Sequence, residues 1–502
     1  MQIFWNDDLL DTTQGLDILG IRGLDQSIEI GMVNGITTIS QRIRYLSILT
    51  WALGEFLTAR ANDAAEWEDV QRFLRRVEFL VLVSTRLDRE ITSSDATGTL
   101  GANVFQETLT SFFEHGFVEI PEDRGGGMLG TYLGPCRSAG LLLDGAPPVF
   151  YQLTPRGREI WECRNHKLAK PEFIHLLNEG GTLTRELAEN AIADFSLSAL
   201  PQRPEEASLL KTAMLTPWQA SNDMMRNRVE TAYGNLQDTV AWAKGYFGEN
   251  PSSAADVIVR NYKKCCAEQN CPEVALTWAE YEYRRRCHLA LELLMSGLNG
   301  SLKNYEQASI AEIVADWETA SEATDYLADL WPAVLSVWVG EAKNVLGTVP
   351  NDLFFGEQMP SGQLRQLPAF DQALMGVAIM QATATQTTKL RQSGQINTQT
   401  GYSGDHAIDL ISACGDKPFR QSLVDLLQLA AMAHLQTTLR KMGAGQKCSL
   451  RFFPEGPALR PTGLDVTPGH SGDRLTNVCR FLTDIGELRA GSKGLELVGA
   501  GN

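Results

Sequence analysis

Apolar positions along this chain recur mainly at the three-and-four spacing of amphipathic helices, with only brief alternating stretches that read as strands. The clearest stretch covers residues 67–87. Trp67, Val70, Phe73, Leu74, Val77, Val81 and Leu87 share one face there, while Arg72, Arg75, Arg76 and Glu78 fall mostly on others. Residues 36–57 predict a second helix through Ile39, Ile43, Leu46, Leu49 and Leu53, with Thr37 or Thr38 as its cap. Turns are expected at 11–15 and 20–23. From 171 to 442 the pattern is almost wholly helical. It predicts helices over 183–193, 204–214, 218–246, 254–267, 272–298, 308–330, 332–345, 369–391 and 417–442, interrupted by prolines and glycines. The Gly-, Ser-, Thr- and Gln-rich residues 392–405 read as a loop.

Two places depart from this regime. A helix over 102–114 stops at His115-Gly116, a left-handed cap. A strand at 117–120, a glycine-rich loop over 125–145 and a strand at 149–153 follow. The next helix opens at Thr154-Pro155-Arg156-Gly157, with Thr154 as cap and Pro155 in the first helical position. This is the element order at the end of a winged helix-turn-helix. The phrase Tyr151-Gln152-Leu153-Thr154-Pro155-Arg156-Gly157 resembles the second wing strand of many bacterial winged-helix proteins, although a loop of about thirty residues is long for a wing. Near the other end, a possible strand at 449–453 is followed by a helix over 474–484 and a tight hairpin over 487–498. The fold class expected is mainly α, with winged-helix-like modules near both ends flanking a long helical middle. The expected domains are 1–62, 63–170, 171–442 and 443–502.

Length and charge narrow the picture. A chain of 502 residues implies roughly three domains. A formal net charge of −17 excludes DNA binding over the whole surface, because phosphate contact needs Lys and Arg. It leaves room for a local basic patch or for basic protein partners. Between Glu306 and Glu357 ten carboxylates face a single basic residue, Lys343. That run is a solvated face or a docking surface for a basic partner, with Asp316, Glu318, Glu322 and Asp325 as candidates. The nine cysteines are scattered and odd in number, which fits reduced thiols in the cytoplasm. No signal peptide and no membrane span is expected.

Catalytic motifs are not found. Residues 443–449 lack phosphate-loop spacing, and Cys265, Cys266, Cys271, Cys287 and His288 lack the short pairing of a zinc site. Glu341-Ala342-Lys343 falls in a predicted helix rather than at the end of a strand. His434 reads as a core histidine, and His470 as part of a turn capping the last helix. No catalytic residue, metal or cofactor is predicted. Arg156, Arg158, Arg164, Lys167 and Lys170 around the helix after the first wing are the candidates for a DNA backbone contact. Lys263-Lys264 and Arg284-Arg285-Arg286 read as solvated faces.

The run Gly35-Ile36-Thr37-Thr38-Ile39-Ser40-Gln41-Arg42-Ile43-Arg44-Tyr45-Leu46-Ser47, with Trp51, resembles the N-terminal segment of uncharacterised bacterial proteins. Those proteins are often encoded beside helicases, nucleases or ATPases in anti-phage defence islands. Asn34 stands where that family has proline. Arg42 and Arg44 are expected on opposite sides of a helix, one pairing with Asp17 or Asp25 and the other facing out toward a partner. Terminal winged-helix modules around an acidic helical middle are also similar to kleisin-type and accessory subunits of SMC-like ATPase complexes. The resemblances imply a non-catalytic scaffold or adaptor whose protein partner, an ATPase or nuclease encoded nearby, acts on DNA. The alternatives are a winged-helix DNA-binding regulator or sensor and, third, an enzyme of unfamiliar type.

Overall fold

The computed structural model describes residues 13–14, 17–59, 66–145, 150–165, 171–220, 222–268, 270–320, 324–332, 340–353, 361–469 and 472–498. The architecture is mainly helical. In chain order the helices are α1 (Arg22–Met32), α2 (Arg44–Ala59), α3 (Trp67–Thr92), α4 (Gln106–His115), α5 (Gly127–Ser138), α6 (Pro155–Asn165), α7 (Pro171–Glu179), α8 (Arg185–Phe195), α9 (Pro204–Leu215), α10 (Asp223–Glu249), α11 (Ala254–Ala267), α12 (Glu273–Leu302), α13 (Ile310–Ala320), α14 (Asp325–Leu330), α15 (Ala342–Leu346), α16 (Ser361–Leu364), α17 (Ala369–Gln392), α18 (Ser403–Ser412), α19 (Phe419–Gly443) and α20 (Arg474–Asp484). Among the described residues eight short strands make four antiparallel pairs: β1 (Phe117–Glu119) with β4 (Thr182–Thr184), β2 (Leu142–Asp144) with β3 (Tyr151–Leu153), β5 (Phe452–Glu455) with β6 (Ala458–Pro461), and β7 (Leu488–Gly491) with β8 (Gly494–Leu497).

The chain forms two compact units, each discontinuous in sequence. Residues 1–29 and 255–471 make the first; residues 30–254 and 472–502 make the second. These units do not follow the expected boundaries at 62, 170 and 442.

In the first unit, α12 packs along α17. The two backbones approach closely because glycines face the contact: a Cβ on Gly376 would lie 2.6 Å from the Ala290 carbonyl, and one on Gly297 2.4 Å from that of Ala369. Nearly every residue of α12 from Trp278 to Leu298 is buried, so this helix has no solvent face. His434, on α19, is a core histidine as expected. Its Nδ1 lies 3.0 Å from the Ile18 carbonyl, and its Nε2 accepts the Arg451 N–H at 3.0 Å.

In the second unit α3 buries the face read from its sequence. Two other expectations fail there. The glycine-rich loop contains α5, which low-propensity Gly and Pro residues hide from a pattern reading. Its start is fixed from a distance: the buried Glu78 carboxylate accepts the N–H groups of Gly126 and Met128, both at 3.0 Å. The strand at 117–119 pairs with β4, Phe117 opposite Thr184, rather than with β3, which pairs back onto β2, Leu142 opposite Leu153. Thr154 does cap α6. Its hydroxyl accepts the Gly157 N–H at 3.0 Å, and Gly157 is needed because a Cβ there would meet the Leu141 carbonyl at 2.2 Å. Near the end of the chain, the helix and tight hairpin form as predicted, with Leu488 opposite Leu497.

Candidate functional site

Among the described residues the candidate DNA contacts do not make one patch. Arg164 is buried, and its guanidinium donates to Glu206 Oε1 at 2.5 Å and to the Asp194 carbonyl at 2.6 Å. Arg156 is half-buried and tied to backbone: Nη1 donates to the Thr216 carbonyl at 2.9 Å and Nη2 to the Pro217 carbonyl at 3.1 Å. Arg158 is exposed. Lys167 and Lys170 lie outside the described residues. Arg164 is therefore a correction: the fork of its guanidinium, which suits phosphate, suits a buried carboxylate and carbonyls equally well.

Arg42 and Arg44 are a second correction. The helix expected from residue 36 starts at Arg44, so Arg42 lies before it, outside any helix. Neither faces out, and neither pairs with Asp17 or Asp25. Arg42 Nε donates to both Asp484 oxygens, at 3.0 and 3.1 Å, and its Nη atoms donate to the carbonyls of Asp95, Thr97 and Leu197. Arg44 is fully buried and makes a two-pronged pair with Glu206, at 3.2 and 3.0 Å. Glu206 thus lies between two guanidiniums and also accepts the Ser47 hydroxyl. Burial alone would raise its carboxyl, but Arg164 and Arg44 outweigh that and hold it at about 2. Residues 35–51 continue in the same role. Thr37 and Ser40 close a reciprocal turn, Asn477 Nδ2 donates to the Thr37 carbonyl at 2.7 Å, and Trp51 Nε1 to Asn165 at 2.7 Å. Its polar side chains hold the second unit together.

The acidic residues of α13 and α14 behave differently. Asp316 and Glu318 on α13 and Asp325 on α14 are exposed, as are Glu312 and Asp329, while Ile313, Val314, Trp317 and Leu327 turn inward. Asp316 accepts the Tyr305 hydroxyl, and Glu318 lies 3.4 Å from Arg420. Glu322 lies outside the described residues.

Sequence reasoning missed the densest charged cluster. Arg284, Arg285 and Arg286 are buried, not solvated. Arg284 pairs with Asp405 at 2.8 Å and Glu280 at 3.0 Å, and its guanidinium stacks on Tyr402, 4.7 Å from the ring centre. Arg285 and Arg286 share Glu282, at 3.3 and 3.1 Å, and Arg286 also covers the Tyr262 ring at 4.4 Å. One turn on, His288 lies 2.9 Å from Glu292 and 3.5 Å from Asp25, with Arg22 Nη2 3.8 Å from Glu292. Burial pulls the imidazole down, but the carboxylates of Asp25 and Glu292 outweigh that and raise it to about 9. One signal was present: the run has tyrosines at 281 and 283 among its charges, and Leu289, Leu291, Leu293 and Leu294 follow it closely.

The guanidiniums of Arg284–Arg286 and the His288 imidazole are buried, while Glu280 and Arg22 at the edges of the cluster are part-exposed. The nine cysteines are unpaired thiols, and burial pushes those of Cys136, Cys266 and Cys287 up to about 12, far from the thiolate a nucleophile needs. Among the described residues no group of three or more His, Cys, Asp or Glu side chains is placed to hold a metal ion, and no helix is long and apolar enough to cross a membrane. No family model, no curated protein and no solved structure matches this chain.

Proposed function

We propose that this chain is a non-catalytic scaffold or adaptor subunit of a multi-protein bacterial defence complex acting on DNA, with the ATPase or nuclease chemistry in a protein partner. The observation that carries this reading is the sorting of charge. Arg42, Arg44, Arg164 and Arg284–Arg286 turn inward to carboxylates and carbonyls, while Asp316, Glu318 and Asp325 stay at the surface. The accessible face of α13 and α14 is therefore acidic over a firm apolar base, which suits a basic protein surface. The family-like segment 35–51 adds the genomic setting, and the cytoplasm is the compartment this role requires. A tagged chain expressed with its genomic neighbours should retain a stoichiometric ATPase or nuclease in mild salt. The triple change Asp316→Lys, Glu318→Lys, Asp325→Lys should release it. A partner that stays bound to the triple variant sinks the docking face, and a chain that purifies alone sinks the adaptor reading.

A DNA-binding regulator is the second reading, favoured by the β2–β3 hairpin with exposed Arg158 one turn into α6. The order α5, β2, β3, α6 and the order α20, β7, β8 are the two places where a winged-helix-like module is proposed. In this reading Arg158→Glu abolishes salt-sensitive DNA binding without loss of fold; binding that persists excludes this site.

A further inference from the structure

A cleft of about 300 Å³ opens in the first unit where α18 begins. Tyr402 and Ser403 form one wall, Gln436, Thr437 and Arg440 of α19 another, and Gly20 a third. No side chain caps α18, whose first intrahelical acceptor, the Tyr402 carbonyl, takes the N–H of His406 at 3.2 Å. The N–H groups of Ser403, Gly404 and Asp405 precede that bond and have no intrahelical acceptor. Such a turn carries a partial positive charge, but a helix start alone does not make a binding site.

The second observation is Thr437. It is 6% exposed, lines the cleft, and its hydroxyl makes no hydrogen bond with any described residue. Buried hydroxyls are normally satisfied, and in a helix the carbonyl one turn back usually serves. Thr438, its neighbour, does find a partner in Ser449. The Thr437 hydroxyl and the Arg440 guanidinium both lie beside Gly20. A Cβ built on Gly20 would lie 2.4 Å from Thr437 Oγ1 and 3.4 Å from Arg440 Nη2, and Gly20, at φ +68°, has none. Arg440 has no carboxylate partner among the described residues. The nearby carboxylates are turned away: Asp405 accepts from Arg284, Tyr283 and the Gln399 N–H, and Asp17 accepts the N–H groups of Ile21 and Arg22. Arg284, stacked on Tyr402, holds the wall in place.

The geometry points to a binding site for the phosphate monoester of a small molecule. The oxyanion meets the N–H groups of α18, the Thr437 hydroxyl and the Arg440 fork, the donor set that phosphate takes at helix starts. The volume is at the low end for small-molecule pockets and fits a phosphorylated sugar. This site is independent of the adaptor reading, and either stands without the other.

The test is calorimetric titration of the full chain at low salt with inorganic phosphate, ribose 5-phosphate and a 5′-phosphorylated tetranucleotide. Ribose 5-phosphate should bind more tightly than inorganic phosphate, and Arg440→Ala should weaken it by roughly tenfold or more. Thr437→Val, near-isosteric, should weaken it several-fold, and bound ligand should slow amide exchange within residues 401–408. Circular dichroism checks that both variants fold; Arg440 is exposed, so its truncation leaves the fold in place. No heat from any probe overturns the proposal. So does binding that Arg440→Ala and Thr437→Val leave unchanged, or protection that appears elsewhere. Tighter binding of the tetranucleotide than of ribose 5-phosphate also overturns it, in favour of a nucleic-acid end.

Discussion

Each unit buries a cluster of arginines, and the two clusters are built in opposite ways. Around Glu206 the charges come from far apart in sequence, Arg44 from α2 and Arg164 from α6, and two guanidiniums meet one carboxylate, with backbone carbonyls taking the surplus protons. Along α12 most pairs lie three or four residues apart on one helix, Glu282 with Arg285 and Arg286, His288 with Glu292. The first cluster is a knot that ties elements together. The second runs along a rod, and its ties to other segments are single residues such as Asp405 and Asp25. Burying an ion pair gives little net stability, yet removing one partner strands the other in a low-dielectric interior. The knot should therefore fail abruptly and the rod by degrees.

The largest effect should come from the knot. Glu206→Gln leaves two buried guanidiniums without their counter-ion and should cost about 3–5 kcal/mol of stability in urea unfolding. A loss below about 1 kcal/mol would show that the carbonyls alone suffice. Asp405→Asn on the rod should cost less, about 1.5–3 kcal/mol, because Glu280 and the Asn397 carbonyl still hold Arg284. Equal losses in the two variants would erase the distinction.

The pH response separates the clusters further. His288 is raised from its usual value of 6.5 to about 9, so its contribution is complete below about pH 6.5 and is lost as pH rises through 9. Glu206 is lowered from 4.5 to about 2, so its contribution is complete above about pH 4.5 and is lost as pH falls toward 2. His288→Gln should flatten the alkaline limb of a stability–pH curve and leave the acid limb unchanged. A variant that keeps the alkaline limb would assign it to another group. The smallest effect is reserved for an arginine at the surface: Arg158→Ala should shift stability by no more than about 0.5 kcal/mol, and a larger loss in thermal unfolding would mean that its charge, too, is used internally.

The clusters also mark where the amino-acid pattern stops being informative. Helices such as α9 and α11 are legible to within a residue, since Pro204 marks the start of one and the amphipathic run 254–267 spans the other. Helix α5 is hidden because its cap, Glu78, lies on a different helix. Helix α18 was obscured by the polar composition of the residues before it. Arg284-Arg285-Arg286 looks like any exposed charge run until Asp405 and Glu282 are seen beside it. Arg42 was sought among acids near in sequence, whereas its partner Asp484 lies 442 residues away. Short-range periodicity records which face of an element is buried. It carries no record of which distant side chain will meet a charge there.

That separation has a consequence during synthesis. At about 5–20 residues per second, Asp484 leaves the ribosome roughly 20–90 s after Arg42. Once Leu197 has emerged, the Arg42 guanidinium has its carbonyl partners in reach but still lacks Asp484, and α20 and the β7–β8 hairpin have yet to arrive. The first unit meets the same delay in mirror image, since Arg22 and Asp25 emerge long before His288 and Glu292. Each half of the molecule thus keeps an early segment waiting for a late one. A nascent chain stalled before residue 472 exposes the unfinished seat of α20, an apolar surface left open until translation resumes.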